Sequence, residues 1–298
     1  MKKFSSSGFR AVKTNPPGFK FPIFLLLLSL LLVQSSFAQE IYTIATYNIR
    51  YANPNDEGNL WKDRAPHLIN LIRFHEMDII GTQEGLYQQL EEIKEDLNFP
   101  YIGVGRDTGK NEGEFSAVFY NPDKFTLLDQ DSFWLSPTPE KPSKGWDASL
   151  NRICSWGKFK SREGQEFYVF NVHYDHRGQK AREESSKLLL QKIKTINAEN
   201  LPCILTGDFN IEEDNPAYRE IIKDGLMMDS KKESKYPPYG PVGTFTGFKW
   251  EMLPEKRIDY IFVSDRVSVI HQATLSDNYG KKYPSDHFPV VVKVMLDN

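Results

Sequence analysis

The order of local patterns predicts an α/β fold built of mixed β-sheets with helices on their outer faces. Strand patterns outnumber helix patterns between residues 41 and 296, and both hairpins and strand–helix–strand units occur among them. Hairpins run neighbouring strands antiparallel and helical crossovers run them parallel, so sheets that contain both are mixed. A third observation excludes a dinucleotide-binding fold. No G-x-G-x-x-G follows a strand, and the glycines at Gly103, Gly105, Gly109 and Gly113 have the wrong spacing. P-loop, H-E-x-x-H and G-x-S-x-G patterns are also absent.

Each element has its own signal. Ile41–Ile49 (IYTIATYNI) is rich in β-branched and aromatic residues and reads as a strand. Trp61, Ala65, Leu68, Ile69 and Ile72 recur at helical spacing and mark one face of a helix. Met77–Thr82 is a short buried strand, and Leu86, Leu90, Ile93 and Leu97 mark a second helix. Phe115–Tyr120 and Phe125–Trp134 are strands split by the turn signal Asn121-Pro122-Asp123. Residues 135–150, rich in Pro, Ser and Lys, read as a long surface loop. Arg152–Lys160 and Glu166–Tyr174 form a hairpin across Arg162-Glu163-Gly164. Ala181, Ser185, Leu188, Leu189, Ile193 and Ile196 mark a third helix. Cys203–Thr206 is another buried strand, and Pro216 opens a short helix at its first position. Residues 229–257 read as loop, and Ile258–Val263, Val267–Thr274 and Phe288–Leu296 are the last strands.

Charge and hydropathy divide the chain. The first 38 residues hold five bases and no acid, followed within that span by the leucine-rich run Phe21–Val33 and by small residues at Ser36 and Ala38. This is the pattern of an export signal cleaved after Ala38. The apolar run of thirteen residues is shorter than the ~20 a membrane helix needs, so a retained anchor is the lesser reading. The expected product is secreted or periplasmic, with no stable membrane span. Residues 39–298 then form a single domain with 32 Lys and Arg against 40 Asp and Glu, a net charge of −8. That balance excludes a strongly basic protein that coats nucleic acid, although a local basic cleft stays open. Two cysteines, Cys154 and Cys203, are too few for a disulfide scaffold. One bridge is open to them, and two buried, inert thiols are the default.

Polar residues that a core would reject recur where strands end. Asn48 closes the first strand, Glu84 follows the second, and His173 closes FYVFNVH. Asp208 and Asn210 close CILTGDFN, Asp259 begins DYIFV, and Asp286-His287 precede the last strand. Loops at strand ends are where open α/β sheets gather their sites. Carboxylates packed at contact distance stay ionised only beside a cation, and an all-oxygen ligand set suits Mg²⁺ or Mn²⁺ rather than zinc.

The ordered segments ATYNIR, IIGTQE, EFSAVFY, NRICSW, FNVHYDHRG, LTGDFN, RIDYIF and SDHFPV resemble the endonuclease/exonuclease/phosphatase superfamily of metal-dependent phosphoesterases. The resemblance runs from Ile41 to Leu296. It implies a four-layer α-β-β-α sandwich in which two mixed sheets lie face to face with helices outside. It implies Glu84 as the principal carboxylate ligand of Mg²⁺ (or Mn²⁺), with Asn48 beside it and Asp286 completing the metal shell. Asp208 would align or deprotonate the attacking water, and Asn210 would hold the phosphate. Asp259 would orient His287, and His173 would meet the phosphate from the other side or protonate the leaving oxygen. Glu114 matches the acid that partners this histidine in deoxyribonuclease-like members, against a plain strand-edge charge. Arg152 is either a second phosphate-facing cation or half of a structural ion pair. Asp175, His176 and Arg177 at the mouth would select a leaving group or a second phosphate, against helix capping and surface charge. Phe245, Phe248 and Trp250 would form an aromatic wall, against a packed loop.

The function implied is a secreted phosphoesterase, monomeric, that hydrolyses a phosphodiester or phosphomonoester by metal-assisted attack of water. An extracellular nuclease and a catalytically inactive binding module on the same fold are the alternatives. The negative charge of the exported chain favours a small organic phosphate, phosphodiester or lipid head group over polymeric DNA.

Overall fold

The computed structural model describes residues 1–5, 7–8, 10–15 and 39–297. The apolar run Phe21–Val33 and the cleavage point at Ala38, on which the export reading rests, lie outside the described residues. The chain divides between Ala38 and Gln39 into two units, and the second holds every element that follows.

The strands are β1 (Tyr42–Asn48), β2 (Ile79–Gly85), β3 (Tyr101–Ile102), β4 (Phe115–Tyr120), β5 (Phe125–Trp134), β6 (Ile153–Ser161), β7 (Glu166–His173), β8 (Cys203–Asp208), β9 (Met228–Asp229), β10 (Asp259–Val263), β11 (Val267–Thr274) and β12 (Val290–Leu296). The helices are α1 (Trp61–Phe74), α2 (Tyr87–Leu97), α3 (Gln179–Ile196), α4 (Pro216–Ile222) and the single turn α5 (Ser230–Glu233). The strands form two six-stranded sheets, ordered β11-β12-β1-β2-β4-β3 and β5-β6-β7-β8-β10-β9. Both are mixed: β1 and β2 run parallel, as do β7 and β8, and the other pairs are antiparallel.

Alternation of side chains across each strand separates the layers. Tyr42, Ile44, Ile79, Val169, Ile204 and Val292 belong to the core between the sheets. Ala45, Tyr47 and Ile80 face outward against Leu68, Ile69 and Ile72 of α1 and Leu90 and Ile93 of α2. On the far side, Phe170 and Leu205 pack against Leu189 and Ile193 of α3 and Ile221 of α4. Helices, sheet, sheet and helices therefore stack as the four expected layers. Cys154 and Cys203 are buried and unpaired.

Where the sequence reading and the structure differ, the cause is local. β2 extends to Gly85 because Gln83 still pairs with Asn48 and Gly85 with Phe115 in the two ladders, although the polarity of Gln83 and Glu84 reads as a strand end. β3 and β9 have two residues each, too few to show a period. Pro216 does open α4, and the Asn215 side chain accepts from the Ala217 N–H. Among the described residues no helix is long and apolar enough to cross a membrane.

Candidate active site

The inner face of the sandwich changes character along its length. On β1 it runs Tyr42, Ile44, then Thr46 and Asn48; on β7 Phe167, Val169, then Asn171 and His173; on β8 Ile204, then Thr206 and Asp208. The period of two is unbroken while the residues turn from apolar to polar. The polar ends of both sheets open into one cavity of about 760 Å³, lined by Glu84, Asp286, Asp208, His287 and His173 among others.

Asn48 ties the two sheets together there. Its Nδ2 donates to Glu84 Oε1 at 3.1 Å and to Asp208 Oδ2 at 2.9 Å. Three residues around this point hold left-handed backbone without being glycine: Arg50 (φ 56°), Glu84 (φ 64°) and Asn210 (φ 52°). Such strain persists only where the surroundings over-determine it, and it concentrates at functional sites. The surroundings are visible here. The fully buried Arg64 guanidinium donates to the carbonyls of Ile49, Arg50, Asn59 and Pro284. It thereby clamps the chain after β1 to the segment that delivers Asp286. Arg50 pairs with Asp56 at 2.9 Å and stands 3.8 Å from Glu84 and 3.9 Å from Asp286.

Asp208 sits at the centre. Its Oδ2 is 3.5 Å from His173 Nε2 and 3.8 Å from His287 Nε2, and its Oδ1 accepts from the Asn210 N–H at 3.0 Å. Asp259 lies behind, with Oδ2 2.8 Å from His287 Nδ1. Burial alone would strip the proton from His287, but the Asp259 charge and hydrogen bond override it and raise its pKa well above the usual range. His173 goes the other way, because burial and then the Arg152 and Arg106 charges hold it neutral. Burial, then the neighbouring Asp259 charge, raises the Asp208 carboxyl. Burial likewise raises Asp286, with the Glu84 charge adding to it.

The residues of the mouth separate into two groups. Glu114 is bidentate to Arg106 at 2.6 and 2.9 Å and lies 3.8 Å from His173 Nδ1, inside the cavity wall. Arg152, 4% exposed, makes the ion pair and also reaches the cavity. It faces Asp175 at 3.4 Å and His176 Nδ1 at 3.0 Å, it lines the cavity, and its Nη1 is buried without a partner. His176 also lines the cavity. Asp175, besides its contact with Arg152, accepts from the backbone N–H groups of Ser149, Leu150, Arg177 and Gly178 and stays outside the cavity lining. These bonds hold the long loop against the turn before α3, whose first-turn N–H groups at Lys180 and Ala181 donate to Asp147 instead. Arg177 is exposed and outside the cavity lining. Of the three aromatics, only Phe245 reaches the cavity, its ring 5.0 Å from that of His287. Phe248 packs on Arg64 and Trp250 on Tyr283. Sequence reasoning passed over Arg50, Arg106 and Arg182. Arg50 lies two residues past the end of β1 on left-handed backbone, where strand alternation no longer applies, so its available signal was its place in the segment ATYNIR.

The donor set suits a hard divalent cation. Glu84 and Asp286 offer carboxylate oxygens from one sheet, and Arg50 approaches neither within hydrogen-bond distance. Two neighbouring carboxylates, one of them pushed toward protonation, are the arrangement a cation relieves. Asp208, Asp259 and His287 also bring ligand atoms within 4.8 Å of one another. In that group Asp259 is already committed to His287 Nδ1, which favours an orienting role for it.

Residues 45–287 match the model of the Endonuclease/Exonuclease/phosphatase family. An uncharacterized protein, L388, of Acanthamoeba polyphaga mimivirus is 32% identical over 185 residues, covering 59% of this chain and 65% of that protein. Nocturnin of Drosophila melanogaster is 25% identical over 292 residues, 84% of this chain and 44% of that protein. The chain thus spans about half to two thirds of the length of these curated relatives. Among solved structures, a mannosyl-6-phosphatase of Bacteroides thetaiotaomicron superposes with a TM-score of 0.84 at 45% identity, covering 86% of this chain and all of that one.

Proposed function

The chain belongs to the endonuclease/exonuclease/phosphatase family, whose members hydrolyse phosphate esters, and from that premise we propose that it is an exported Mg²⁺- or Mn²⁺-dependent phosphomonoesterase acting on a compact substrate such as a sugar phosphate. The observation that carries this reading is the layout of one cavity. Glu84 and Asp286 form an acidic pole, Arg152 and two histidines form the opposite pole, and Asp208 lies between them.

Phosphate-ester hydrolysis needs in-line water, neutralised non-bridging oxygens and help for the leaving oxygen. Asp208 is placed to orient the water and take its proton at a carboxylate oxygen. Asp259 keeps the proton on His287 Nδ1, so that Nε2 faces the phosphoryl group. Arg152 has a spare N–H for a non-bridging oxygen, and His173, backed by Glu114, stands on the leaving-group side. A divalent cation held by Glu84 and Asp286 beside Asn48 would supply Lewis-acid charge to the phosphoryl oxygens. The substrate class is supported by the mannosyl-6-phosphatase likeness and by charge. Four Arg and Lys residues, Arg50, Arg152, Arg182 and Lys256, line the cavity with the protonated His287 against six Asp and Glu, a poor track for a polyanionic strand.

The test is phosphate release from mannose 6-phosphate and p-nitrophenyl phosphate, beside bis-p-nitrophenyl phosphate, single-stranded DNA and RNA, after EDTA and after added Mg²⁺ or Mn²⁺. Monoester hydrolysis that stops in EDTA and returns with the ion is expected, and Glu84→Gln should weaken ion binding and turnover together. Full activity in a chelated sample overturns the metal, and preferential cleavage of nucleic acid overturns the substrate. Export is checked by the N-terminal residue of the protein recovered from its host's envelope or medium, which should be Gln39.

A further inference from the structure

We propose that Asn171 is a positioning residue, which reaches across the sandwich from β7 to hold β2 in the bulged, left-handed course that turns the Glu84 carboxylate into the site. The inference rests on the metal reading of Glu84. Asn171 itself is buried and lies outside the cavity lining.

The pairing of β2 with β4 shifts register between Thr82 and Gly85, and Glu84 within that shift has φ 64°. A bulge leaves ladder groups of both strands without their regular partners. Two carbonyls at its edge, Thr82 O and its opposite Ala117 O, share one side-chain donor. Asn171 Nδ2 donates to them at 2.8 and 2.9 Å. Asn171 Oδ1 accepts from Gln83 Nε2 at 2.7 Å and from Thr206 Oγ1 at 3.0 Å. The carboxamide thus fills two donor and two acceptor positions. A flipped amide would set its oxygen against two carbonyls, so the network fixes its orientation. Three of the four partners belong to the bulge or its edge, and Thr82 and Gln83 are the residues immediately before Glu84.

Access to β2 depends on glycine. A Cβ on Gly81 would stand 2.1 Å from Thr206 Oγ1 and 2.6 Å from Asn171 Oδ1, so a side chain there would break the seam. Asn171 is also two residues before His173 on the same strand face. The one carboxamide therefore sets the acidic pole of one sheet against the histidine pole of the other.

Asn171→Leu keeps approximate shape and removes all four hydrogen bonds. Mn²⁺ binding to the metal-stripped protein is measured by calorimetry, with melting temperature and with kcat and KM on p-nitrophenyl phosphate well below melting. Weakening of Mn²⁺ binding by about 10–100-fold is expected, as for other groups that orient a ligand, with kcat falling alongside. In a Glu84→Gln background the same substitution should change kcat by less than about twofold, because residues acting through one group are not additive. Ile221→Ala, in the outer core, is the control that lowers stability and leaves Mn²⁺ binding unchanged. If Asn171→Leu fails to fold, Thr206→Val loosens the same carboxamide and should weaken Mn²⁺ binding by about threefold or more. Wild-type Mn²⁺ affinity in a folded, destabilised variant of either kind overturns the inference alone. A wild type that binds no Mn²⁺ overturns the metal reading and the inference with it.

Discussion

His287 and His173 approach the same carboxylate of Asp208, at 3.8 and 3.5 Å, and their surroundings hold them in opposite protonation states. The difference comes from what backs each ring. His287 has Asp259 at 2.8 Å, and His173 has the positive field of Arg152 and Arg106. Asp259→Asn removes the charge that keeps His287 protonated and leaves the shape nearly unchanged. It should lower kcat in the same direction as His287→Ala. Asp208→Asn and His287→Ala should each lower kcat by about 10²–10⁴-fold, the range of general-base and electrostatic contributions, with far-ultraviolet circular dichroism unaltered. Near-normal turnover in a folded Asp208→Asn protein would remove Asp208 from the water-activating role.

The long segment between α4 and β10 has little regular structure, yet it delivers Phe245 to the cavity and leads into Asp259. One buried pair anchors it. Arg257 donates twice to Asp229, both at 2.7 Å, and Tyr218 and the Lys231 N–H complete the carboxylate. Burial would raise the Asp229 carboxyl, but the Arg257 bonds and charge outweigh it and the net shift is downward. A lowered folded pKa contributes stability that is present above the unfolded value of about 3.9 and lost as pH falls through the folded one. Asp229→Asn leaves the buried Arg257 with only the part-exposed Glu213 carboxylate, 2.9 Å away, against its charge and should cost about 2–3 kcal/mol at pH 7, below the full cost of an orphaned buried charge. Urea unfolding from pH 7 to pH 2.5 should show that gap unchanged down to about pH 5 and narrowing below pH 4. A gap that widens in acid would contradict the assignment.

The separation of the two sheets decides whether the site exists, since Glu84 and Asp286 come from one sheet and His173 and Asp208 from the other. Gly81 sets that separation at the polar end. Gly81→Ala should destabilise the protein by about 1–3 kcal/mol or more through overpacking, read from the urea midpoint, and should lower kcat beyond what stability explains. Charge acts at the same scale. With −8 on residues 39–298 and an acid-rich cavity lining, hydrolysis of small phosphoesters should change little between 50 and 300 mM salt. Efficient nicking of plasmid DNA that falls steeply over this range, as counterion release requires, would reverse the preference for compact substrates.

Two levels of information remain distinct in this chain. Element identity was legible in the sequence. Phe125–Trp134, Val267–Thr274 and the α4 start at Pro216 have the bounds that alternation and turn chemistry imply, because those signals are local. The candidate site was legible as a set of polar strand ends, Asn48, Glu84, His173, Asp208 and Asp286, because a core rejects such residues. Tertiary structure alone decided how they meet. It placed Asn48 between Glu84 and Asp208, turned Asp175 toward backbone while His176 faced the cavity, and put Arg64 and Asn171 where they hold the loops and the bulge. The physical reason is range. A period of two or of 3.6 is written in neighbouring residues, whereas a carboxamide on β7 that bonds carbonyls of β2 and β4 depends on how two sheets stack, and no local pattern carries that distance.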